Sequence, residues 1–309
     1  MEILFYADGG HADHWLTALQ KTLPLADVRV WSEGDNASAD YAVVWKPPAA
    51  MLRGRDDLKA IFNLGAGVDA ILQLGADLPA RVPIVRLDDA GMAVQMAEYV
   101  AHAVLGYFRR FDEFAAQSRD HHWRFLKPRE KADFQIGILG MGVLGSRIAE
   151  ALQHFDFTVH GWSRSRKEIA GVRSFAGTDE LDDFLAQSQV LVNVLPLTEA
   201  TRGMLDRTTL AKLPKGAFLI NVARGAHVVE QDLLTLLDES HLAGATLDVF
   251  EHEPLPSDHP FWREPRITIT PHIAALTLRG DSVRQIAAKI KLMERGQPIA
   301  GLVDRLKGY

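Results

Sequence analysis

The sequence predicts an α/β chain built from two doubly wound parallel-sheet domains, and three observations predict it. Short apolar runs alternate with helix-forming segments along most of the chain. A glycine turn, Gly140-Met-Gly142-Val-Leu-Gly145, stands between one such run and a helix-forming segment. The 309 residues exceed what one small core organises and suit two domains.

The elements follow in order. Glu2 to Tyr6, Val28 to Trp31, Tyr41 to Trp45, Ala60 to Leu64 and Ile84 to Arg86 are the strands of a first parallel-sheet domain, since each is a short apolar run between helical stretches. Gly91 to about Gln117 is apolar along one face and predicts one long helix bridging the domains. A polar connection, Trp123-Arg-Phe-Leu-Lys-Pro128, leads to a second sheet. That sheet starts near Phe134 and continues through Phe157 to Trp162, Val190 to Val194, Ala217 to Asn221, Ala245 to Val249 and Ile267 to Thr270, as a Rossmann-type unit. A last helix, about Leu276 to Gly296, precedes a tail able to pack back on the first domain. The expected division is 1–96 plus 278–309 and 97–277.

Composition narrows the classes. Apolar and charged fractions of 47% and 24% are those of a globular protein, and no apolar run approaches a membrane span. The start, Met1-Glu-Ile-Leu-Phe-Tyr6, is acidic where a secretory leader is basic and reads as a strand, so a cytoplasmic location is the default. Without cysteine there is no thiol nucleophile or thiolate metal site. A net charge of −6 argues against nucleic acid as partner, so an anionic substrate must be drawn by local donors.

The glycine turn has a physical meaning. Its first glycine permits the turn, the second lets backbone approach a pyrophosphate, and the third lets helix and strand pack closely. The amides of Gly142, Val143, Leu144 and Gly145 would then face an anion. Enzymes selective for NAD place an acid about 20 residues onward to bind the ribose 2'-hydroxyl. This chain instead has Ser163-Arg164-Ser165-Arg166-Lys167, three cations and no carboxylate. Planar guanidinium groups suit a 2'-phosphate, so the predicted cofactor is NADP(H), with NAD(H) second.

Three later strands end in polar residues: Asn221-Val-Ala223-Arg224-Gly225, Asp248-Val-Phe-Glu251-His252-Glu253-Pro254 and Pro271-His272. In open parallel sheets the site lies at such strand ends. Arg224 suits a carboxylate by two parallel hydrogen bonds and polarises an adjacent carbonyl. A histidine near neutral pKa moves the proton that accompanies hydride transfer, and a neighbouring carboxylate favours its protonated form. The set fits a 2-keto acid. Each residue also has a structural explanation, as a turn cap, a loop acid or a buried histidine, and His252 competes with His272 for the acid/base role. Gly65-Ala66-Gly67 after its own strand offers amides to a substrate carboxylate or is simply a tight turn. Trp45 is either a pocket wall or packing. His11-x-x-His14 has helical spacing for a metal pair but lacks a nearby third ligand and reads as a solvated loop, and His121-His122 would diverge as neighbours on a helix. Tyr107, Phe108, Phe111 and Phe114 are read as core ahead of a dimer surface.

These motifs resemble the D-2-hydroxyacid dehydrogenase family, and within it the bacterial glyoxylate/hydroxypyruvate reductase A group. The resemblance rests on Leu64-Gly-Ala-Gly-Val-Asp69, the glycine turn, Trp162 to Arg166, Leu195-Pro-Leu-Thr198, Asn221 to Gly225, Leu247 to Phe250 with Glu253-Pro254, Thr270-Pro-His272 and the ending Val303 to Tyr309. It implies Arg224 as the substrate-binding, polarising residue, His272 as acid/base and Glu253 as its partner. It also implies Ala223 and Asp248 beside the cofactor, Asp248 near the nicotinamide carboxamide. Trp45, Ala66 and Gly67 are implied at the substrate, and a homodimer is implied with no metal. The expected activity is NADPH-dependent reduction of glyoxylate or hydroxypyruvate. A reductase for bulkier keto acids such as phenylpyruvate and a non-catalytic NAD(P)H-sensing protein are the alternatives.

Overall fold

A computed structural model of the chain describes residues 1–9 and 12–309, so His11 lies outside the described residues. The chain divides into two units, 1–92 with 277–309 and 93–276. Relative to the boundaries read from sequence, the first junction falls one helical turn earlier and the second one residue earlier.

The first unit carries β1 (Glu2–Ala7), α1 (Ala12–Thr22), β2 (Asp27–Val30), β3 (Tyr41–Trp45), α2 (Ala49–Leu52), β4 (Ala60–Asn63), α3 (Asp69–Leu72) and β5 (Ile84–Val85). Its sheet runs β2-β1-β3-β4-β5, with every strand pairing parallel. That is the flavodoxin-like order. All four residues of β4 are buried, as helices on both faces of a parallel sheet require. Between the two parts of this unit the chain makes the second.

The second unit holds α4 (Met92–Phe108, its first residue belonging to the first unit), α5 (Phe111–Arg119), β6 (Ile136–Leu139), α6 (Val143–Gln153), β7 (Val159–Ser163), β8 (Val172–Ala176), α7 (Leu181–Ala186), β9 (Val190–Asn193), α8 (Arg207–Leu210), β10 (Ala217–Asn221), α9 (Glu230–Asp238), β11 (Leu242–Leu247) and β12 (Ile267–Ile269). Its seven strands are ordered β12-β11-β10-β9-β6-β7-β8 and all pair in parallel. From β6 the chain winds one way to β8, then returns to β9 on the other side of β6. The switch point is therefore at β6 and β9, where such sheets open a crevice beyond the strand ends. The final helix, α10 (Arg279–Met293), returns to the first unit, where the Lys289 ammonium meets Asp88 at 2.8 Å and Glu294 accepts from Tyr41 at 2.6 Å.

Several expectations are corrected. The single helix over 91–117 is two helices, because Arg110 takes a left-handed conformation (φ 60) between α4 and α5. Arg109-Arg110 closes one helix and Asp112-Glu113 opens the next, as their dipoles favour. β8 was not expected: it is an edge strand with one buried residue of five, so it lacks a core strand's apolar run. β11 starts at Leu242 and ends at Leu247, leaving Asp248 and Val249 beyond it. α10 starts at Arg279, later than Leu276. His121 and His122 follow α5 in a turn, not on a helix, with His121 at φ 55. The aromatic set splits: Tyr107 is buried and Phe108 packs on the core, while Phe111 and Phe114 are exposed.

Candidate active site

The glycine turn leaves β6 at the switch point and enters α6. A Cβ on Gly145 would lie 1.9 Å from the Gly140 carbonyl oxygen, so only glycine lets the helix begin this close to the turn. Gly142 is the N-cap and carries no capping side chain, which leaves the first-turn amides of α6 facing outward for a ligand. At the end of neighbouring β7, Ser163 is followed by exposed Arg164, Arg166 and Lys167. The Arg166 guanidinium donates to the Glu180 carboxylate and, at 2.5 Å, to the Ser174 carbonyl. Glu180 also accepts the Ala176 amide at 2.7 Å, and that bond with Arg166 holds its carboxyl below the ordinary value. The fit to a phosphorylated dinucleotide is thus a glycine cradle and a cationic rim, with Arg166 braced by Glu180.

Arg224 follows β10. Buried Asn221 shapes its loop: the Asn221 amide donates to the Arg224 carbonyl at 3.0 Å, and its Oδ1 accepts the Ala223 amide at 3.2 Å and the Asn193 amide at 3.0 Å. His227, fully buried, sets its ring nitrogens against the Arg224 carbonyl at 3.1 Å and the Pro196 carbonyl at 3.3 Å. A Cβ on Gly225 would lie 1.8 Å from the Phe250 carbonyl carbon, so the Arg224 loop packs backbone to backbone on the segment leaving β11. The Arg224 guanidinium donates to the Ala223 carbonyl at 2.7 Å and is partly exposed.

His272 Nδ1 and Glu253 Oε2 are 2.8 Å apart, with side chains 47% and 36% exposed, so the pair is open to a ligand. Glu253 Oε1 accepts the Phe250 amide at 3.0 Å, which fixes the carboxylate's direction. Asp248 is 1% exposed and accepts from Thr270 at 2.6 Å and from the Ile273 and Ala274 amides at 2.8 Å each. Three of a carboxylate's roughly four acceptor positions are thereby filled from within the chain.

In the first unit, β4 ends in buried Asn63, whose amide donates to the carbonyls of Gly65 at 3.1 Å and Gly67 at 2.9 Å. Ala66 and Gly67 are partly exposed, and the Trp45 ring at the end of β3 packs against Gly65.

Asn63 and His227 were not singled out from sequence, and Asn221 and Thr270 stood in the quoted motifs without a role of their own. Asn63, Asn221 and Thr270 are polar residues at or just past the carboxyl ends of apolar strands, the same signal that picked out Asp248. His227, three residues after Arg224, carried no such mark. Among the described residues no cluster of three or more metal-ligating side chains occurs, and no helix is long and apolar enough to cross a membrane.

Residues 101–274 match the family model described as "D-isomer specific 2-hydroxyacid dehydrogenase, NAD binding domain". The chain is 53% identical to the glyoxylate/hydroxypyruvate reductase A of Serratia proteamaculans, with all of both chains covered. A D-isomer specific 2-hydroxyacid dehydrogenase from Xanthobacter autotrophicus Py2, solved with NADPH and MES, superposes with a TM-score of 0.94 at 40% identity, covering 100% of this chain and 99% of that one. An NADPH-dependent glyoxylate/hydroxypyruvate reductase from Sinorhizobium meliloti, solved with NADP and sulfate, gives 0.93 at 37% identity with the same coverage.

Proposed function

This chain belongs to the D-isomer specific 2-hydroxyacid dehydrogenase family, and on that premise we propose that it reduces small 2-keto acids, glyoxylate and hydroxypyruvate, to the 2-hydroxy acids with NADPH. When bound, NADPH supplies the hydride. Gly140, Gly142, Val143, Leu144 and Gly145 hold its pyrophosphate, and Ser163, Arg164 and Arg166 its 2'-phosphate, with Ala223 and Asp248 nearby. Arg224 binds the substrate carboxylate and draws electron density from the adjacent carbonyl. His272 donates the proton to the keto oxygen from Nε2, because Nδ1 is turned to Glu253. Trp45, Ala66 and Gly67 also bind the substrate in this reading, and the bulk of Trp45 favours small acids over phenylpyruvate.

The observation that carries this reading is the His272–Glu253 contact at 2.8 Å between two partly exposed side chains. A carboxylate-held imidazole together with Arg224 equips the chain for turnover, which a cofactor-sensing protein does not need. The test is NADPH oxidation followed by absorbance with glyoxylate, hydroxypyruvate and phenylpyruvate. Turnover of the two small acids supports it, and no turnover of any keto acid overturns it.

We further infer a homodimer working in the cytoplasm. Phe111, Phe114, Trp123 and Phe125 are exposed by 55%, 37%, 102% and 80%, an apolar surface suited to a second copy.

A further inference from the structure

The loop that carries His272 is held in an unusual way. His272 has a left-handed backbone, φ 56, which costs a non-glycine residue energy unless neighbours impose it. Three consecutive amides, of His272, Ile273 and Ala274, converge on one residue, Asp248: the first donates to its main-chain carbonyl and the other two to its carboxylate, all at 2.8 Å. Successive amides turned to one side form a concave donor set that an anion fills. Here the chain's own buried Asp248 carboxylate fills the Ile273 and Ala274 amides, and its main-chain carbonyl the His272 amide.

The carboxylate is fixed in turn. Thr270 donates its only hydroxyl proton to Asp248 Oδ1 at 2.6 Å, so the 2.5 Å contact between Thr270 Oγ1 and the Tyr99 hydroxyl has Tyr99 as donor. Tyr99 stays a donor across the working pH range, because burial pushes its pKa up to about 12. The α4 helix grips the same loop a second time, one turn earlier: the Gln95 side chain donates to the Leu276 carbonyl at 2.8 Å and accepts the Leu276 amide at 3.2 Å.

We propose that Tyr99 and Thr270 are positioning residues for the reaction, acting as a hydrogen-bonded chain that orients Asp248 so that Asp248 imposes the backbone conformation aiming the His272 imidazole. The inference rests on the proton-donor role given to His272 above. Tyr99, Thr270 and the Asp248 carboxylate touch neither imidazole nor substrate in this scheme. Their effect is geometric, and it falls on the chemical step more than on binding.

The test compares Thr270→Val, which keeps shape and removes the hydroxyl, with Thr270→Ser, which keeps the hydroxyl, and with Tyr99→Phe. Thr270→Val lowers kcat about 10- to 100-fold, since small misplacements of a reacting group cost that much. The dissociation constant of NADPH, read by nicotinamide fluorescence, rises less than kcat falls, and so does KM for the keto acid. Thr270→Ser restores kcat. Tyr99→Phe lowers it about 2- to 10-fold, the worth of one net hydrogen bond. Ring-nitrogen chemical shifts of His272 give a readout free of turnover: the Nδ1–H tautomer held by Glu253 in the wild type becomes mixed in Thr270→Val. A wild-type kcat in folded Thr270→Val, or a lowered Tm with unchanged kcat and unchanged ring shifts, overturns the proposal. If Thr270→Val does not fold, the same outcomes in Tyr99→Phe decide. A wild-type protein inactive on every keto acid overturns the function while the ring shifts still judge the positioning.

Discussion

Glu253 spends its two oxygens on different parts of the site: Oε2 meets His272 Nδ1 at 2.8 Å, and Oε1 takes the Phe250 amide at 3.0 Å. The backbone bond aims the carboxylate and the carboxylate aims the ring. With the Glu253 carboxylate accepting from it, Nδ1 carries the proton of this contact and Nε2 is left for a ligand.

His272→Ala therefore lowers kcat by roughly 100- to 10,000-fold, the usual worth of a general acid, while NADPH still binds. Glu253→Gln also lowers kcat with NADPH affinity retained. Steady-state rates beside fluorescence titrations check both, and nearly normal turnover in His272→Ala removes it from the mechanism.

Joint replacement of Arg164 and Arg166 by Ala raises KM for NADPH by about 10- to 100-fold, from the loss of charge-assisted bonds to phosphate. KM for NADH changes far less. Equal effects on both cofactors mark the loop as structural, a role the Glu180 brace on Arg166 makes worth separating by the single variants.

Gly225→Ala places a methyl 1.8 Å from the Phe250 carbonyl carbon. Neither backbone segment yields cheaply, so the substitution destabilises the protein by about 3 kcal/mol or more. Urea unfolding measures it, and a cost below about 1 kcal/mol shows that the two segments separate readily.

Arg266 holds the Glu264 carboxyl below its ordinary value of 4.5, chiefly through their side-chain hydrogen bond. A depressed folded-state pKa gives stability that is present above the unfolded value and lost as pH falls through the folded one. Tm therefore declines as pH drops below about 4.5, and Glu264→Gln makes that part of the profile shallower. Calorimetry across this range checks it; identical slopes for variant and wild type contradict it.

Trp123→Ser with Phe125→Ser removes the two most exposed large apolar side chains of the second unit. Sedimentation velocity should show the wild type as a dimer and the double variant as a monomer. A wild type that sediments as a monomer rejects the dimer.

Much of this was legible because parallel strands buried on both faces must be apolar runs, as in Tyr41–Trp45 and Ala217–Asn221, whose bounds coincide with those read from sequence. Arg224, Glu253 and His272 stood out as polar residues following such runs. Less visible was whatever depends on where two distant backbones meet. The left-handed conformation of His272 has no glycine to announce it, and the hold of Asp248 on residues 272–274 joins segments separated by more than twenty positions. β8 was hidden for the opposite reason: at a sheet edge, Arg173 and Ser174 interrupt its apolar run without cost. The break at Arg110 was written in the charges, basic then acidic, but apolar periodicity spoke louder.

The return of α10 to the first unit sets the order in which the protein is made. Residues 1–92 emerge early, but Lys289, Glu294 and Arg305, which tie to Asp88, to Tyr41 and to the Pro79 and Val82 carbonyls, follow only after residues 93–276. At translation rates of about 5–20 residues per second that interval is on the order of ten to forty seconds. Over that interval residues 1–92 are without α10, which packs against α1, while residues 93–276 already have their whole sequence.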